Sequence, residues 1–208
     1  MNNNRKILNS IDYKILERIN THGYGAVFVP TNFLDLGSRQ AVDIVLHRLV
    51  RKGTIRRLAR GLYDFPEEHP ILGNLQPSPE KIAVALVGRD CTRIQPTGAY
   101  AANILGLSEQ VPAKVVFLTD GPSRMVKIGA TTIQLRRTTQ KNMAMAGRLS
   151  GLLVQALREL GKENVTTERV EHLKRILPAD KRQELLKDIR LAPEWMHSIF
   201  RTLAEEAL

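Results

Sequence analysis

The 208-residue sequence is poor in cysteine, and its histidines are dispersed. The single cysteine, Cys91, cannot form an intramolecular disulfide, and it excludes a metal site made of several thiolates. The five histidines include no pair at the spacing that places two ligands on one helical face. We therefore expect no metal and no cofactor, and we interpret Cys91 as a small half-buried residue rather than a nucleophile.

Long hydrophobic runs are also absent from the sequence. No apolar stretch approaches the roughly 20 residues that a membrane-spanning helix needs, so we expect no membrane partner. The N-terminal segment MNNNRKILNS has no apolar core of the length found in signal peptides. These two features predict a cytoplasmic protein.

The sequence lacks the residue groupings that usually support catalysis. The segment TDGPSRMVKIG contains glycines but not the strand–loop–helix setting of a phosphate-binding loop. The candidate acidic residues of the sequence are either isolated or paired in a linker and at the C-terminus. No general acid–base pair is therefore predicted. We expect that the protein is not an enzyme, and we predict no catalytic residue.

Positive charge, by contrast, is abundant and concentrated near the N-terminus. The formal net charge is +10, from 31 basic and 21 acidic residues, and residues 1–65 supply 11 of the bases and 5 of the acids. Between Arg39 and Arg60 there are seven basic residues and one acid, Asp43. A concentration of this kind is typical of surfaces that bind nucleic acid or another polyanion.

Three predicted helices and a hairpin occupy residues 1–68. The segment SIDYKILERINTHG places apolar residues on one helical face, and Pro30 suits the first turn of a brief second helix. Ser38 is a favourable N-cap for the next helix, and Gly53 is a favourable residue to end it. The segment TIRRLARGLYDF then predicts two short strands around a turn. This order of elements predicts a winged helix-turn-helix.

The third helix of such a motif enters the major groove, with its N-terminal residues nearest the base edges. Helical spacing predicts four buried apolar residues: Val42, Val45, Leu46 and Leu49. The outward residues in the first half of the helix are the candidate base contacts: Arg39, Gln40, Asp43 and His47. Ser38, Arg48 and Arg51 are the candidate phosphate contacts.

The predicted wing adds three arginines, Arg56, Arg57 and Arg60. Because strands alternate faces, Arg56 and Arg57 cannot both point at DNA unless a bulge intervenes, whereas Arg60 lies at the turn and has the best reach. A basic amphipathic helix alone is often only a solvated surface. Winged helices also serve as protein-interaction modules, although such domains usually lack this concentration of arginine.

The second half of the sequence predicts a mixed domain at residues 76–208. It follows a proline-rich connector, PEEHPILGNLQPSPE, and the segment TGAYAANILGL predicts a small-residue helix. The segment KVVFLTDGPSRMVKIGATTIQLRRT alternates β-branched runs with turns and predicts an antiparallel β-meander. From about residue 142 the spacing predicts a helical bundle whose apolar stripes form its core. The alternative is a partner or dimer contact at Trp195 and Phe200, which we interpret as aromatics on the exposed side. The predicted fold class of the whole chain is α+β.

Three segments carry a resemblance to a known family. HRLVRKGTIRRLARGLYDFP, followed by PTGAYAANILGLSEQVPAKVVFLTDGPSR and IQLRRT, resembles the AbiEi-type antitoxins of bacterial type IV (abortive infection) toxin–antitoxin systems with an N-terminal winged helix. The resemblance covers about residues 10–140. It implies that the winged helix binds inverted repeats in its own promoter and that the C-terminal domain neutralises a nucleotidyltransferase-like toxin. The DNA contacts of the family correspond here to Arg39, Gln40, Arg48 and Arg60.

The sequence and the resemblance together predict a DNA-binding transcriptional autorepressor and antitoxin. We expect a monomer or a weak dimer that binds most tightly as two copies on an inverted repeat of double-stranded DNA. Two alternatives stay open at this point. One is a stand-alone winged-helix regulator without a toxin, and the other is an RNA-directed or enzymatic factor that uses the winged helix only for targeting.

Overall fold

The first helix begins and ends at the residues that its sequence favours. In the computed structural model, which describes residues 10–88 and 92–205, this helix is α1 (Ile11–His22). The hydroxyl of Ser10 caps it by accepting a hydrogen bond from the backbone N–H of Tyr13 at 3.2 Å. Gly23 ends it with a φ of +77°, a backbone conformation that glycine adopts without strain.

The next helical segments follow the predicted order. A short 3-10 helix at Pro30–Phe33 precedes α2 (Arg39–Arg51), which is capped by the hydroxyl of Ser38 through a 3.3 Å hydrogen bond from the N–H of Ala41. The four apolar residues predicted to be buried in α2 are all buried: Val42, Val45, Leu46 and Leu49. They pack against α1 residues Ile15 and Ile19 in one hydrophobic core, which holds α2 in place.

A three-stranded antiparallel sheet completes this unit. Its strands are β1 (Val27–Phe28), β2 (Arg56–Ala59) and β3 (Leu62–Asp64), in the order β1–β3–β2. Strands β2 and β3, with the turn at Arg60–Gly61 between them, form the hairpin that we call the wing. Two helices joined by a short helical turn and followed by this sheet are a winged helix-turn-helix, as the sequence predicts.

The proline-rich segment is structured and extends the first unit beyond the predicted boundary. It contains a small hairpin, β4 (Glu68–His69) with β5 (Gly73–Asn74), and then helix α3 (Pro79–Val87). Helix α3 packs against β1, and the chain accordingly divides into the compact units Met1–Cys91 and Thr92–Leu208. The sequence predicts α3 as part of the second domain, because the proline-rich segment before it has the composition of a linker. Cys91 lies outside the described residues.

The second unit contains a four-stranded sheet whose central pair is parallel. Its strands are β6 (Ile94–Thr97), β7 (Lys114–Thr119), β8 (Arg124–Ile128) and β9 (Thr131–Arg137), in the order β6–β7–β9–β8. Strands β8 and β9 form the expected antiparallel hairpin, but β7 pairs with β9 in parallel. The predicted simple antiparallel meander is therefore wrong for that pair. Strand β9 carries the buried Ile133 and Leu135, which suit a central position, whereas β8 exposes Met125 at the edge.

Helices complete the second unit. Their bounds are α4 (Ala99–Ile104), α5 (Leu149–Leu160), α6 (Thr167–Ile176), α7 (Ala179–Arg182), α8 (Glu184–Asp188) and α9 (His197–Ala204), with 3-10 turns at Lys162–Asn164, Ile189–Leu191 and Glu194–Met196. The first helix of the predicted bundle begins at Leu149 rather than near residue 142, because residues 140–147 form turns. The buried carboxylate of Asp188 accepts hydrogen bonds from Arg148 and Ser150, which links α8 to the start of α5.

The C-terminal aromatic residues correct one expectation. Phe200 is fully buried with Leu203 in the helical core, and Trp195 is half-buried against the same core. They are not exposed-side aromatics, because the apolar face of α9 turns Phe200 inward and Trp195, in the 3-10 turn before α9, packs against the same core. Both units combine helices with sheet, so the fold class is α+β, as predicted.

Candidate nucleic-acid interface

The exposed half of α2 presents a compact set of polar and basic side chains. At about 100° per residue, the buried stripe occupies one side of the helix and the predicted contact residues occupy the other. A shallow concave surface on that side is lined by Arg39, Gln40, Asp43, Ile44, His47 and Arg48. The same periodicity places Gln40, His47 and Arg51 within about 40° of one another at the centre of the exposed side. The structure therefore gathers the predicted residues on one surface.

Three residues at the centre of this surface are free to bind a ligand. Gln40, His47 and Arg51 are exposed, and within the described part of the chain none of their side chains forms a hydrogen bond or an ion pair. Together these side chains offer hydrogen-bond donors and acceptors, since the Gln40 amide can donate and accept whereas the Arg51 guanidinium only donates. This combination can hydrogen-bond to base edges and to phosphate.

Arg39 and Asp43 act as one unit rather than as two separate contacts. The Nε of Arg39 donates to both carboxylate oxygens of Asp43, at 3.1 and 3.0 Å, across one turn of the helix. The pair is half-exposed, so its contribution to stability is small. Its effect is on orientation, because the carboxylate holds the guanidinium against the helix surface and cancels part of its charge.

Arg48 is bound to another helix. Its Nη1 donates to the Asp12 carboxylate of α1 at 2.8 Å, and both side chains are about half exposed. Arg48 thus lies at the edge of the α2 surface with a carboxylate beside it. A phosphate at this position would have to displace or share that carboxylate.

The arginines of the wing divide into inward and outward positions. Arg56 forms a two-point ion pair with Asp64, through Nε at 3.1 Å and Nη2 at 2.6 Å, and also donates to the backbone oxygen of Leu75 at 2.8 Å. Asp64 is only 1% exposed, so Arg56 is committed to the interior of the unit. Arg57 and Arg60 are exposed. The register shifts between Arg57 and Ala59, yet Arg56 and Arg57 still face opposite ways.

The turn that positions α2 is held by Arg18 of α1. Its guanidinium donates to the carboxylate of Asp35 at 2.8 and 2.7 Å and to the backbone oxygen of Asn32 at 2.9 Å. The hydrogen bond to Asp35 is the main reason that the pKa of Arg18 is raised, while partial burial opposes it. Arg18 therefore ties α1 to the turn from which α2 starts, and this fixes the direction of the exposed surface.

Ile44 is a member of this surface that the sequence reasoning missed. Ile44 is 45% exposed and lies one turn after Gln40 on the same side of the helix. The sequence does contain a signal for it, because Ile44 is an apolar residue that falls outside the buried stripe formed by Val42, Val45 and Leu49. Such a side chain can contact the methyl group of thymine in the major groove.

Within residues 10–88 and 92–205, no three His, Cys, Asp or Glu side chains lie together as metal ligands. No helix in those ranges has the length and apolar character required to cross a bilayer.

Comparisons with known proteins assign the chain to a family. Residues 14–185 match the family described as "Family of unknown function (DUF6088)". No curated protein matches the sequence. Among solved structures, the crystal structure of the Rv2827c protein from Mycobacterium tuberculosis is similar, with a TM-score of 0.41, 15% sequence identity, and coverage of 88% of this chain and 78% of that one. Because the family match spans most of its length, the chain belongs to DUF6088, a family of unknown function.

Proposed function

We propose that the protein is a sequence-specific DNA-binding transcriptional regulator that inserts α2 into the major groove. The observation that carries the proposal is the exposed side of α2, where the side chains of Gln40, His47 and Arg51 have no partner among the described residues, together with the exposed Arg57 and Arg60 of the wing that follows α2. Unpaired donors on both α2 and the wing of one motif together favour a polyanionic partner over a face that is only solvated. The net charge of +10 supports the same partner.

Base recognition in this proposal falls to the first three turns of α2. The amide of Gln40 can pair with adenine, Ile44 can contact a thymine methyl, and His47 can donate to or accept from a base edge. Arg39 reaches guanine with the part of its guanidinium that Asp43 does not bind. Each well-formed pair of this type discriminates against a wrong base by about 1–3 kcal/mol.

Phosphate contacts provide affinity without sequence preference. Arg51 reaches phosphate from the end of α2, Arg57 and Arg60 reach it from the wing, and Arg48 does so by exchanging the carboxylate of Asp12 for phosphate. The hydroxyl of Ser38 accepts from the Ala41 N–H, so its own hydrogen can still be donated to a phosphate at the start of the helix. Arg56 is left out of the proposed contacts, because Asp64 already binds it.

The regulatory and antitoxin parts of the proposal rest on the resemblance of residues 10–140 to AbiEi-type antitoxins. In this proposal two copies occupy an inverted repeat in the promoter of their own gene, and the second unit counteracts a nucleotidyltransferase-like toxin encoded next to it. Co-expression with a nucleotidyltransferase from the adjacent reading frame tests the antitoxin role. Growth inhibition by that partner alone, relieved by this protein, is the expected result, and growth inhibition that persists would reject the role.

A gel-shift series with the DNA upstream of the gene tests the DNA-binding part. We expect a shift at lower protein concentration for the upstream DNA than for a scrambled duplex of the same composition. Four arginine–phosphate contacts per copy predict that the logarithm of the affinity falls with the logarithm of the salt concentration with a slope of about −3.6. Equal affinity for both duplexes at two salt concentrations would rule out a sequence-specific regulator.

A further inference from the structure

A basic cleft lies in the second unit, where the open face of the sheet meets α5. Its volume is about 270 Å³, and it is lined by Thr97, Gly98, Ala99, Lys114, Val116, Arg136, Gln155, Arg158 and Glu159. The three basic side chains come from three different elements, since Lys114 belongs to β7, Arg136 to β9 and Arg158 to α5. Residues distant in sequence are therefore brought together around one small opening.

The charges around the cleft are unbalanced. Three cations face one carboxylate, that of Glu159, which gives a formal excess of +2 at the cleft. Within the described residues, none of Lys114, Arg136 and Arg158 forms an ion pair, although ion pairs bind many other arginines of the chain. Like charges that converge without counter-charges repel one another, and an anionic ligand would relieve that repulsion.

The floor of the cleft is polar and ordered. The hydroxyl of Thr97 donates to the side-chain oxygen of Gln155 at 2.6 Å, and both residues are more than nine-tenths buried. This bond occupies the oxygen of Gln155, and within the described residues its NH₂ group has no acceptor. Gln155 thus adds a neutral donor to the three cationic ones. Apart from Glu159, the charged and amide groups of the cleft are donors.

We infer that this cleft binds a phosphate group, carried either by a small phosphorylated molecule or by a nucleic acid. A phosphate monoester carries a charge of about −1.5 to −2 near neutral pH, which matches the excess of +2, and its oxygens accept hydrogen bonds from arginine and lysine. The cleft is smaller than the roughly 300–1,000 Å³ of typical drug-sized sites, so it suits the phosphate end of a ligand. Glu159 also lines the cleft, where a Cβ added at Gly98 would lie 3.5 Å from its Oε2, and this carboxylate can accept from a hydroxyl of the attached sugar.

This inference is independent of the proposed DNA-binding surface, because all of its residues lie in the second unit. Failure of the gel-shift test would leave the cleft unaffected, and failure at the cleft would leave the α2 surface unaffected. The readout must therefore be local to the cleft. The backbone amides of Gly98 and Ala99 and the side-chain NH₂ of Gln155 provide three groups within it that NMR can follow.

The experiment is a ¹H–¹⁵N NMR titration of the full-length protein at constant ionic strength. Inorganic phosphate, adenosine 5′-monophosphate and a short single-stranded oligonucleotide are added in separate series, with sodium chloride as the control. We expect saturable shifts of the Gly98, Ala99 and Gln155 signals with inorganic phosphate and the mononucleotide, and none with chloride. Tighter binding of the oligonucleotide at the same signals would identify nucleic acid as the source of the phosphate. Weaker binding there would identify a small phosphorylated molecule.

Two charge-neutralising variants and one matched control test the residue assignment. Arg136→Gln and Arg158→Gln should each weaken mononucleotide binding by about tenfold or more, because each removes a charge-assisted hydrogen bond. Arg175→Gln removes the same charge from an exposed position of α6 outside the cleft and should leave the affinity unchanged. Equal melting temperatures would confirm that all variants fold. Wild-type signals that respond to phosphate as they do to chloride, or equal affinities for all variants, would overturn the inference.

Discussion

Substitution of the two adjacent wing arginines by alanine should affect two different properties of the protein. Arg56 binds the buried Asp64, whereas Arg57 is exposed, and its side chain makes, among the described residues, a single 3.4 Å hydrogen bond from Nε to the backbone oxygen of Ala59. Arg56→Ala should therefore destabilise the first unit, while Arg57→Ala should lower DNA affinity and leave stability almost unchanged.

The magnitude for Arg56→Ala follows from what the substitution leaves behind. Asp64 is 1% exposed and would lose both hydrogen bonds from Arg56, so a carboxylate would stay buried without a cation. Removing one partner of a buried ion pair costs about 3–5 kcal/mol, and the partial exposure of Arg56 favours the lower end. A loss of about 3 kcal/mol corresponds to a change of roughly 150-fold in the unfolding equilibrium. Arg57→Ala should cost less than about 0.5 kcal/mol.

Hydrogen exchange of the native full-length protein measures these changes in each unit separately. The slowest amides of α2 report opening of the first unit, and those of α5 serve as an internal reference in the second. We expect α2 amides to exchange about 100-fold faster in Arg56→Ala and at the wild-type rate in Arg57→Ala. DNA affinity, measured by fluorescence anisotropy on the same samples, should fall for Arg57→Ala. Unchanged exchange in Arg56→Ala, together with a loss of DNA affinity equal to that of Arg57→Ala, would refute this division of roles.

Two further substitutions test contacts of particular residues. Asp12→Asn should raise affinity for all DNA sequences about two- to fivefold in anisotropy titrations, because it releases Arg48 from an exposed pair of low energy. Unchanged or weaker binding would contradict that role for Arg48. Gly151→Ala should lower the free energy of unfolding, measured by thermal denaturation, by about 1–3 kcal/mol. The reason is that a Cβ there would lie 2.2 Å from the Met145 carbonyl oxygen and 2.8 Å from Gln95 Oε1. A stabilised variant would show that this close approach is not a constraint.

Much of the first unit could be predicted because its signals are local. Ser38 marks a helix start through its side-chain hydroxyl and Gly23 a helix end through its backbone freedom, and the stripe from Val42 to Leu49 is visible in the spacing alone. Strand alternation also predicted that only one of Arg56 and Arg57 faces outward. Which of the two turns inward depends on the buried Asp64, and the burial of that carboxylate follows from tertiary packing.

Other features depend on contacts between residues that are far apart in sequence. Arg48 and Asp12 are 36 positions apart, so nothing in the spacing of α2 indicates the carboxylate beside Arg48. The strand order β7–β9–β8 could not be predicted for the same reason. Turn residues indicate which two strands form a hairpin, but they do not indicate which other strand that hairpin pairs with. The basic cleft was also missed, since Lys114, Arg136 and Arg158 meet only after the sheet and α5 have formed.

The most direct test of the central claim compares the specificity of two variants. The ratio of affinities for the upstream DNA and for a scrambled duplex is measured for the wild type, Gln40→Ala and Arg57→Ala. If the exposed side of α2 reads bases, Gln40→Ala should reduce that ratio about tenfold, whereas Arg57→Ala should weaken binding to both duplexes equally and preserve it. A ratio that is unchanged in Gln40→Ala, or reduced equally in both variants, would contradict the claim that α2 provides sequence recognition and the wing provides affinity.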